Sequence, residues 1–473
     1  MTYSTQLAAL EAFLQGYPAI KYTPQSSPEY STARKVFNSA RRDNPLAIVQ
    51  PQSPSDVTAL VKYARSNSLS FTIRVGGHNL EGSTLVEDAL LIDLRALTAV
   101  TVAPDRKSAI VQGGTLQVEL GKKLWAEGLG TPTGAIPSVG YVGWATYGGY
   151  GPFSSHWGLG VDQILGATIV NAEGDIVKAD ESLLQGIRGA GGLYGIIIDL
   201  TVKVYPLTSL LAGAIIFESS NIIKTCIDFN TAYERLLDAE GLPPQLTVQQ
   251  MAFNAHTGRC FAAIFTWSGA DIIEGQRWSK KIANLGPLLL NTVASTNIPE
   301  WFSGNEPLVP LAASGSAYTH SVSRVSPAIA KTIGQSLACM PSDPGTMMSI
   351  HQLRGPSTEP QGHSSSVFAV REPHYMLEFL GFTVQKSLQE ESEKWAAQIA
   401  EDTRLADRTY VLPWAYVSLY NATAQANSSA EALRKTYGSK VELVKALKAK
   451  FDPANVFRLT VPVLGYIGAE SCG

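Results

Sequence analysis

At 473 residues, with 45% hydrophobic and 16% charged residues and a formal charge of -3, the chain has the make-up of a well-packed, enzyme-sized protein of two or three structural units. That composition excludes a disordered or fibrous protein, and near-neutrality without a block of like charge leaves no electrostatic footprint for nucleic acid or anionic lipid. Cys226, Cys260, Cys339 and Cys472 are too scattered for metal-ligand spacing or a disulfide framework. The first residues show no basic region followed by an apolar run, and no stretch has bilayer length, so the expectation is a cytoplasmic protein without a membrane partner.

Taken in chain order, Pro54-Ser55-Asp56 ahead of Val57, Leu60, Val61 and Ala64 predicts a capped amphipathic helix, and residues 70–74 predict a strand entering a glycine turn. Strands follow at 90–94 and 108–112, a helix at 116–124, and a hairpin of 164–171 with 175–179 across Ala172-Glu173-Gly174. A strand over 195–205 stops at Pro206, and a boundary is placed there, near residue 208. Beyond it, β-rich runs (211–217, 259–267) alternate with helical ones (272–285, 388–400) and carry no cofactor motif. The chain closes with an amphipathic helix on Val441, Leu443, Val444 and Leu447, stopped by Asp452-Pro453. Three regions result: 1–208, 209–410 and 411–473.

Two glycine-rich loops stand out. In Arg74-Val75-Gly76-Gly77-His78-Asn79, directly after a strand, two glycines let backbone amides approach an anion such as a pyrophosphate and Arg74 adds charge. The second, from Gly134 to Gly151, has Gly134, Gly140, Gly143, Gly148, Gly149 and Gly151 with few charges, as suits backbone wrapped around a ligand. No phosphate-binding Gly-x-x-x-x-Gly-Lys-Ser/Thr motif occurs. Gly189-Ala190-Gly191-Gly192-Leu193-Tyr194-Gly195 precedes its strand instead of following it, which excludes a Rossmann fingerprint. His156, His351 and His363 are too dispersed to predict a metal site.

These residues resemble the berberine-bridge-enzyme-like FAD-linked oxidases of the vanillyl-alcohol-oxidase superfamily. The resemblance covers about 44–208 and 410–460 and rests on Arg74-x-Gly76-Gly77-His78, on Pro137-Ser138-Val139-Gly140-x-x-Gly143 with Gly148-Gly149-x-Gly151, and on Trp157-Gly158-Leu159-x-x-Asp162. It rests further on Arg188-Gly189-Ala190-Gly191-Gly192 and on Tyr437-Gly438 with Asp452-Pro453-x-Asn455-Val456-Phe457. It implies an α+β architecture: a two-subdomain PCMH-type FAD-binding domain (1–208) completed by 411–473, and a substrate domain (209–410) of antiparallel sheet covered by helices.

The resemblance further implies FAD bonded covalently to His78, with Arg74, Val75, Gly76, Gly77, Asn79, Gly82, Pro137, Ser138, Val139, Gly140, Gly143, Gly148, Gly149, Gly151, Leu159, Asp162, Ile197 and Asn421 around the cofactor. Ile136 stands where many relatives carry a second attachment cysteine, so a single link is expected. Val139 stands where valine accompanies oxidases, which implies dioxygen as the electron acceptor and hydrogen peroxide as product. Leu80, Trp144 and Tyr147 depart from the family's usual tyrosine, histidine and glycine. Tyr416-Val417-Ser418-Leu419-Tyr420-Asn421 aligns loosely with a run that lines the flavin.

A proton acceptor is required as hydride leaves a small-molecule alcohol, amine or activated C–H, and Tyr420 and Tyr141 are its candidates, with Glu372 and His374 as weaker ones. Alternative readings are a flavin dehydrogenase, a redox-neutral cyclase and a flavin-fold binding protein.

Overall fold

The computed structural model describes residues 3–461 except 257, 309–312, 360–364 and 427, so His363 and Cys472 lie outside the described residues. Three sheets organise the chain. The first has the order Lys21–Pro24, Ala47–Gln50, Leu90–Asp93, Phe71–Arg74, with the last three strands parallel. Helix Pro54–Ser66 supplies the crossover. Ser53 accepts from the Asp56 amide while the Asp56 carboxylate accepts from the Ser53 amide, satisfying donors that a bare helix start leaves open. Its apolar stripe, Val57, Leu60, Val61 and Ala64, is fully buried against this sheet.

The second sheet, in the order Val100–Val102, Ser108–Gln112, Ile196–Lys203, Ile164–Val170, Ile176–Lys178, is antiparallel throughout. Helices Gln117–Ala126 and Glu181–Ala190 bury their apolar faces on it. Helix Val441–Phe451 joins the same core through Val444 and Leu447, and Val456 and Phe457 enter the core of the first sheet. The last described segment thus returns to the N-terminal layers.

The third sheet is the largest and antiparallel, in the order Leu288–Asn291, Leu210–Phe217, Gly258–Trp267, Leu246–Ala255, Thr346–Leu353, His374–Thr383, Ser314–Val322, Val411–Leu412. Helices Ile222–Ala239, Ile272–Ala283, Pro327–Ala338 and Gln389–Ala406 cover one face. Because strand side chains alternate, Val248, Phe265, Ile350, Leu377 and Phe379 point into that helix-covered core. Their neighbours Gln249, Ile264, Ser349, Met376 and Glu378 point the other way, towards the first two sheets.

The architecture is α+β, and most predicted elements lie within two residues of those observed. Helix Gln389–Ala406 runs six residues beyond its predicted end because Thr403, fully buried, bonds the Ile399 carbonyl and continues the buried face. Helix Tyr3–Leu14 was not anticipated. Among the described residues no helix is long and apolar enough to cross a membrane.

Candidate active site

A cavity of about 490 Å³ lies where the three sheets meet, within the range of sites that hold small organic ligands. One wall is residues Val75, Gly76, Gly77, His78 and Asn79; a second is Ile136, Val139, Gly140, Gly143 and Trp144; Ile196 and Ile197 close its rear. The exposed face of the large sheet forms its floor.

The first two walls touch through bare backbone. A Cβ on Gly76 would lie 2.5 Å from Ser138 O and from Gly140 N, and one on Gly140 would lie 2.5 Å from the Val75 side chain. Only glycine allows this approach. Gly143 differs, since a Cβ there would meet nothing within 4 Å and would point into open space. Gly76 and Gly140 thus hold the two walls together, while Gly143 leaves its part of the cavity clear.

His78 sits on this wall. Its Nε2 lies 2.9 Å from Ser138 Oγ, and Phe37 stacks on the ring at a centroid distance of 5.4 Å. Part of its surface faces the cavity, yet protein surrounds the ring closely, and burial pushes its pKa down to about 4. Its imidazole is neutral at pH 7, with an unprotonated nitrogen available.

The other loop residues serve this wall from behind. Arg74 does not reach the cavity: fully buried, it pairs with Asp93 at 2.5 Å and donates to the Ala33 carbonyl. Burial alone would raise the Asp93 carboxyl, but its hydrogen bonds to Arg95 and Arg74 and their charges outweigh this and hold it below the usual range. The role foreseen for Arg74, a charge beside a bound anion, is thus replaced by clamping the loop's base. Gly82 faces the Arg41 side chain, away from the cavity.

The aromatic departures explain several glycines. The Trp144 indole lies within 3.4 Å of the Cβ positions of Gly134, Gly149, Gly151 and Gly160, and its Nε1 donates to Tyr150 O at 3.0 Å. Tyr147 occupies the space over Gly191, and Phe368 that over Gly148. Gly148, expected around a ligand, makes room for Phe368 and Tyr416, Gly149 for the Gly160 backbone and Trp144, and Gly151 for the Thr133 carbonyl, and none of the three lines the cavity. Nor do Pro137, Leu159, Asp162 and Asn421. Leu159 is fully buried, Asp162 pairs with Arg371 at 2.7 Å, and Asn421 caps a turn by accepting from the Ala424 amide.

Neither tyrosine proposed from sequence as proton acceptor reaches the cavity. Tyr141 is fully exhausted as core, with no exposed surface and a pKa raised by burial. Tyr420 donates to the Gln425 carbonyl at 3.2 Å, and burial pushes its pKa up to about 12. Tyr416 and Tyr150 line the cavity instead; Tyr416 stood in the loosely aligned run read from sequence, and Tyr150 was missed. Tyr416 Oη accepts from the Gly149 amide at 3.3 Å.

Tyr150 is backed by His374, a weaker candidate from sequence. His374 Nδ1 lies 2.6 Å from the Glu372 carbonyl, which can only accept, so Nδ1 carries the proton and Nε2 is free to accept from Tyr150 Oη at 2.9 Å. Burial holds His374 at about 4, so this tautomer is neutral at pH 7. Tyr150 itself lines the cavity. Glu372 itself contributes only its backbone.

The floor carries a second polar group. Gln249 Nε2 lies 2.7 Å from Ser349 Oγ and 3.3 Å from His351 Nε2, and His351 Nε2 lies 3.5 Å from Glu378 Oε2. Register brings them together: Met251 pairs with Ser349, and Ser349 with Glu378. The polar residues at alternate positions 349 and 351 were the one signal for this cluster in the sequence.

A cavity walled by two glycine loops and floored by the large sheet is the candidate site for a bound cofactor and its substrate. Residues 45–180 match the FAD binding domain family. The chain is 30% identical to the FAD-linked oxidoreductase aurO of Gibberella zeae over 461 residues, 95% of this chain and 87% of that protein. Its fold matches 6-hydroxy-D-nicotine oxidase from Arthrobacter nicotinovorans with a TM-score of 0.80 at 21% identity, covering 94% of this chain and 97% of that one. It matches the Physcomitrella patens berberine-bridge-enzyme-like 1 protein with a TM-score of 0.78 at 20% identity, over 96% and 97% of the two chains. The chain belongs to the FAD-linked oxidoreductases. It is an oxidoreductase that binds FAD.

Proposed function

We propose that this protein is an oxidase that carries FAD on His78 through a single covalent bond, oxidises an alcohol, amine or activated C–H, and passes the electrons to dioxygen to give hydrogen peroxide. The observation that carries the reading is the neutral His78 imidazole at the cavity edge, opposite a wall on which Gly143 leaves open space. With Nε2 engaged by Ser138, Nδ1 is the nitrogen left to form the bond. Val75, Gly76, Gly77, Asn79, Val139, Gly140, Gly143 and Ile197 would line the cofactor, Gly76 and Gly77 serving its pyrophosphate through backbone amides. Ile136 on the opposite wall offers no sulfur for a second link. When bound, FAD supplies a two-electron oxidant.

This chain's own contribution is to orient the substrate and to move its proton. We assign proton acceptance to Tyr150: a substrate O–H or N–H donates to Oη while the phenolic proton passes to His374 Nε2. Burial holds the Tyr150 phenol well above its ordinary pKa, so it works as a neutral relay and not as a phenolate. Tyr150→Phe keeps the ring packing and removes the relay. Its kcat is expected to fall by about 100-fold, with cofactor content unchanged; a steady-state rate within about threefold of wild type rejects the assignment.

The oxidase reading is tested by reducing the protein anaerobically and mixing it with aerated buffer in a stopped-flow instrument. Reoxidation fast enough to sustain turnover, with stoichiometric peroxide, is expected. Slow reoxidation in air, restored by an artificial acceptor, favours the dehydrogenase alternative.

A further inference from the structure

The charge on the cavity's floor narrows the substrate class. Among the described residues that line the cavity there is no lysine or arginine, and Glu378 is the one carboxylate. Its side chain is 15% exposed. The nearest basic group is His351, whose Nε2 at 3.5 Å stands beyond ordinary hydrogen-bond length and is shared with Ser349 at 3.1 Å and Gln249. Glu378 therefore projects a negative charge into a half-enclosed space with no full positive charge to balance it.

The surroundings of that charge are apolar and aromatic. Met376 and Leu380 flank Glu378 on its own strand, Met347 lies across the register from Leu380, and Tyr416 and Tyr150 stand above them. The Tyr150 ring is 6.5 Å from that of His351 and 4.8 Å from that of Tyr416. An ammonium group here would meet a carboxylate and, over the face of either phenol ring, a second favourable partner. A carboxylate or phosphate would be buried beside Glu378 without a counter-ion, which costs far more than either group gains. A neutral hydroxyl would find partners in Gln249, Ser349 and His351 but would leave the charge of Glu378 unpaired.

We propose that Glu378 selects an amine: the substrate enters as a small, largely apolar ammonium compound whose cationic nitrogen pairs with the Glu378 carboxylate, while acids are excluded. This rests on the reading that the large-sheet end of the cavity is where the substrate lies.

The experiment compares three probes of one shape, benzylamine, benzyl alcohol and benzoate, by titration calorimetry against the purified yellow protein at neutral pH. Benzylamine is expected to bind at least about tenfold more tightly than the alcohol, and benzoate not to bind detectably. In Glu378→Gln, which keeps size and hydrogen bonding, benzylamine and benzyl alcohol should fall within about threefold of each other. Benzoate binding as tightly as benzylamine overturns the proposal, as does an unchanged ranking in a folded Glu378→Gln protein or the absence of heat from all three probes. Should that variant fail to melt cooperatively, the wild-type ranking decides alone. Calorimetry needs neither turnover nor reoxidation, so a failed oxidase assay with the amine ranking intact separates the two readings.

Discussion

Replacing His78 by alanine is expected to release the flavin on denaturation. Wild-type protein, unfolded in acid and run on a denaturing gel, should carry yellow fluorescence with the polypeptide; His78→Ala should leave it at the dye front. The reason is local: in the folded chain the ring is stacked on Phe37, held by Ser138, and neutral because burial lowers its pKa to about 4. Only an unprotonated imidazole has a lone pair to give. A His in water would lose that lone pair as pH falls through about 6.5. Here it keeps it down to about 4, so covalent flavin incorporated into apoprotein should be nearly constant between about pH 5 and pH 8. Dye retained by the alanine variant sinks the attachment site. An incorporation curve that halves near the ordinary histidine pKa sinks the account of its neutrality.

Gly143→Leu is expected to give a folded, colourless protein. Gly143 lies in the short helix Tyr141–Thr146, where a side chain meets nothing within 4 Å, and leucine is the better helix former by somewhat under 1 kcal/mol. The substitution should therefore leave the melting temperature of cofactor-free protein unchanged or slightly raised, while the new side chain occupies the space cleared for the flavin. Gly76→Ala provides the contrast. Its methyl would lie 2.5 Å from two backbone atoms of the facing loop, so the walls must separate, and both stability and colour should be lost. Visible absorbance at wild-type stoichiometry in Gly143→Leu rejects this placement of the cofactor.

The walls of the site were more legible in the sequence than its floor. Gly76, Gly77 and His78 are consecutive, and Gly140 and Gly143 stand one helical turn apart, so the chemistry they share is written locally. The floor was hidden because its polar residues are mixed with apolar ones: Met251, Ile264, Met347 and Met376 face the cavity beside Gln249, Ser349, His351 and Glu378, while Val248, Phe265, Ile350 and Leu377 face the core. Only the short alternation at Ser349 and His351 marks that face, so Glu378 passed unnoticed and His351 read as one scattered histidine. The tyrosines failed for a related reason. Tyr420 and Tyr416 lie four residues apart in one loop, and only the Tyr416 ring turns into the cavity.

By itself the sequence determined the α+β class, the order of elements, the two glycine loops and the histidine between them, because turn chemistry and backbone clearance are properties of neighbouring residues. Tertiary structure alone decided that Arg74 clamps Asp93 instead of facing an anion, that Trp144 fills the space left by four glycines, and that Gln249, Ser349, His351 and Glu378 meet. Those outcomes depend on strand register and on which side chains compete for one volume, and neither is encoded in any single stretch of chain.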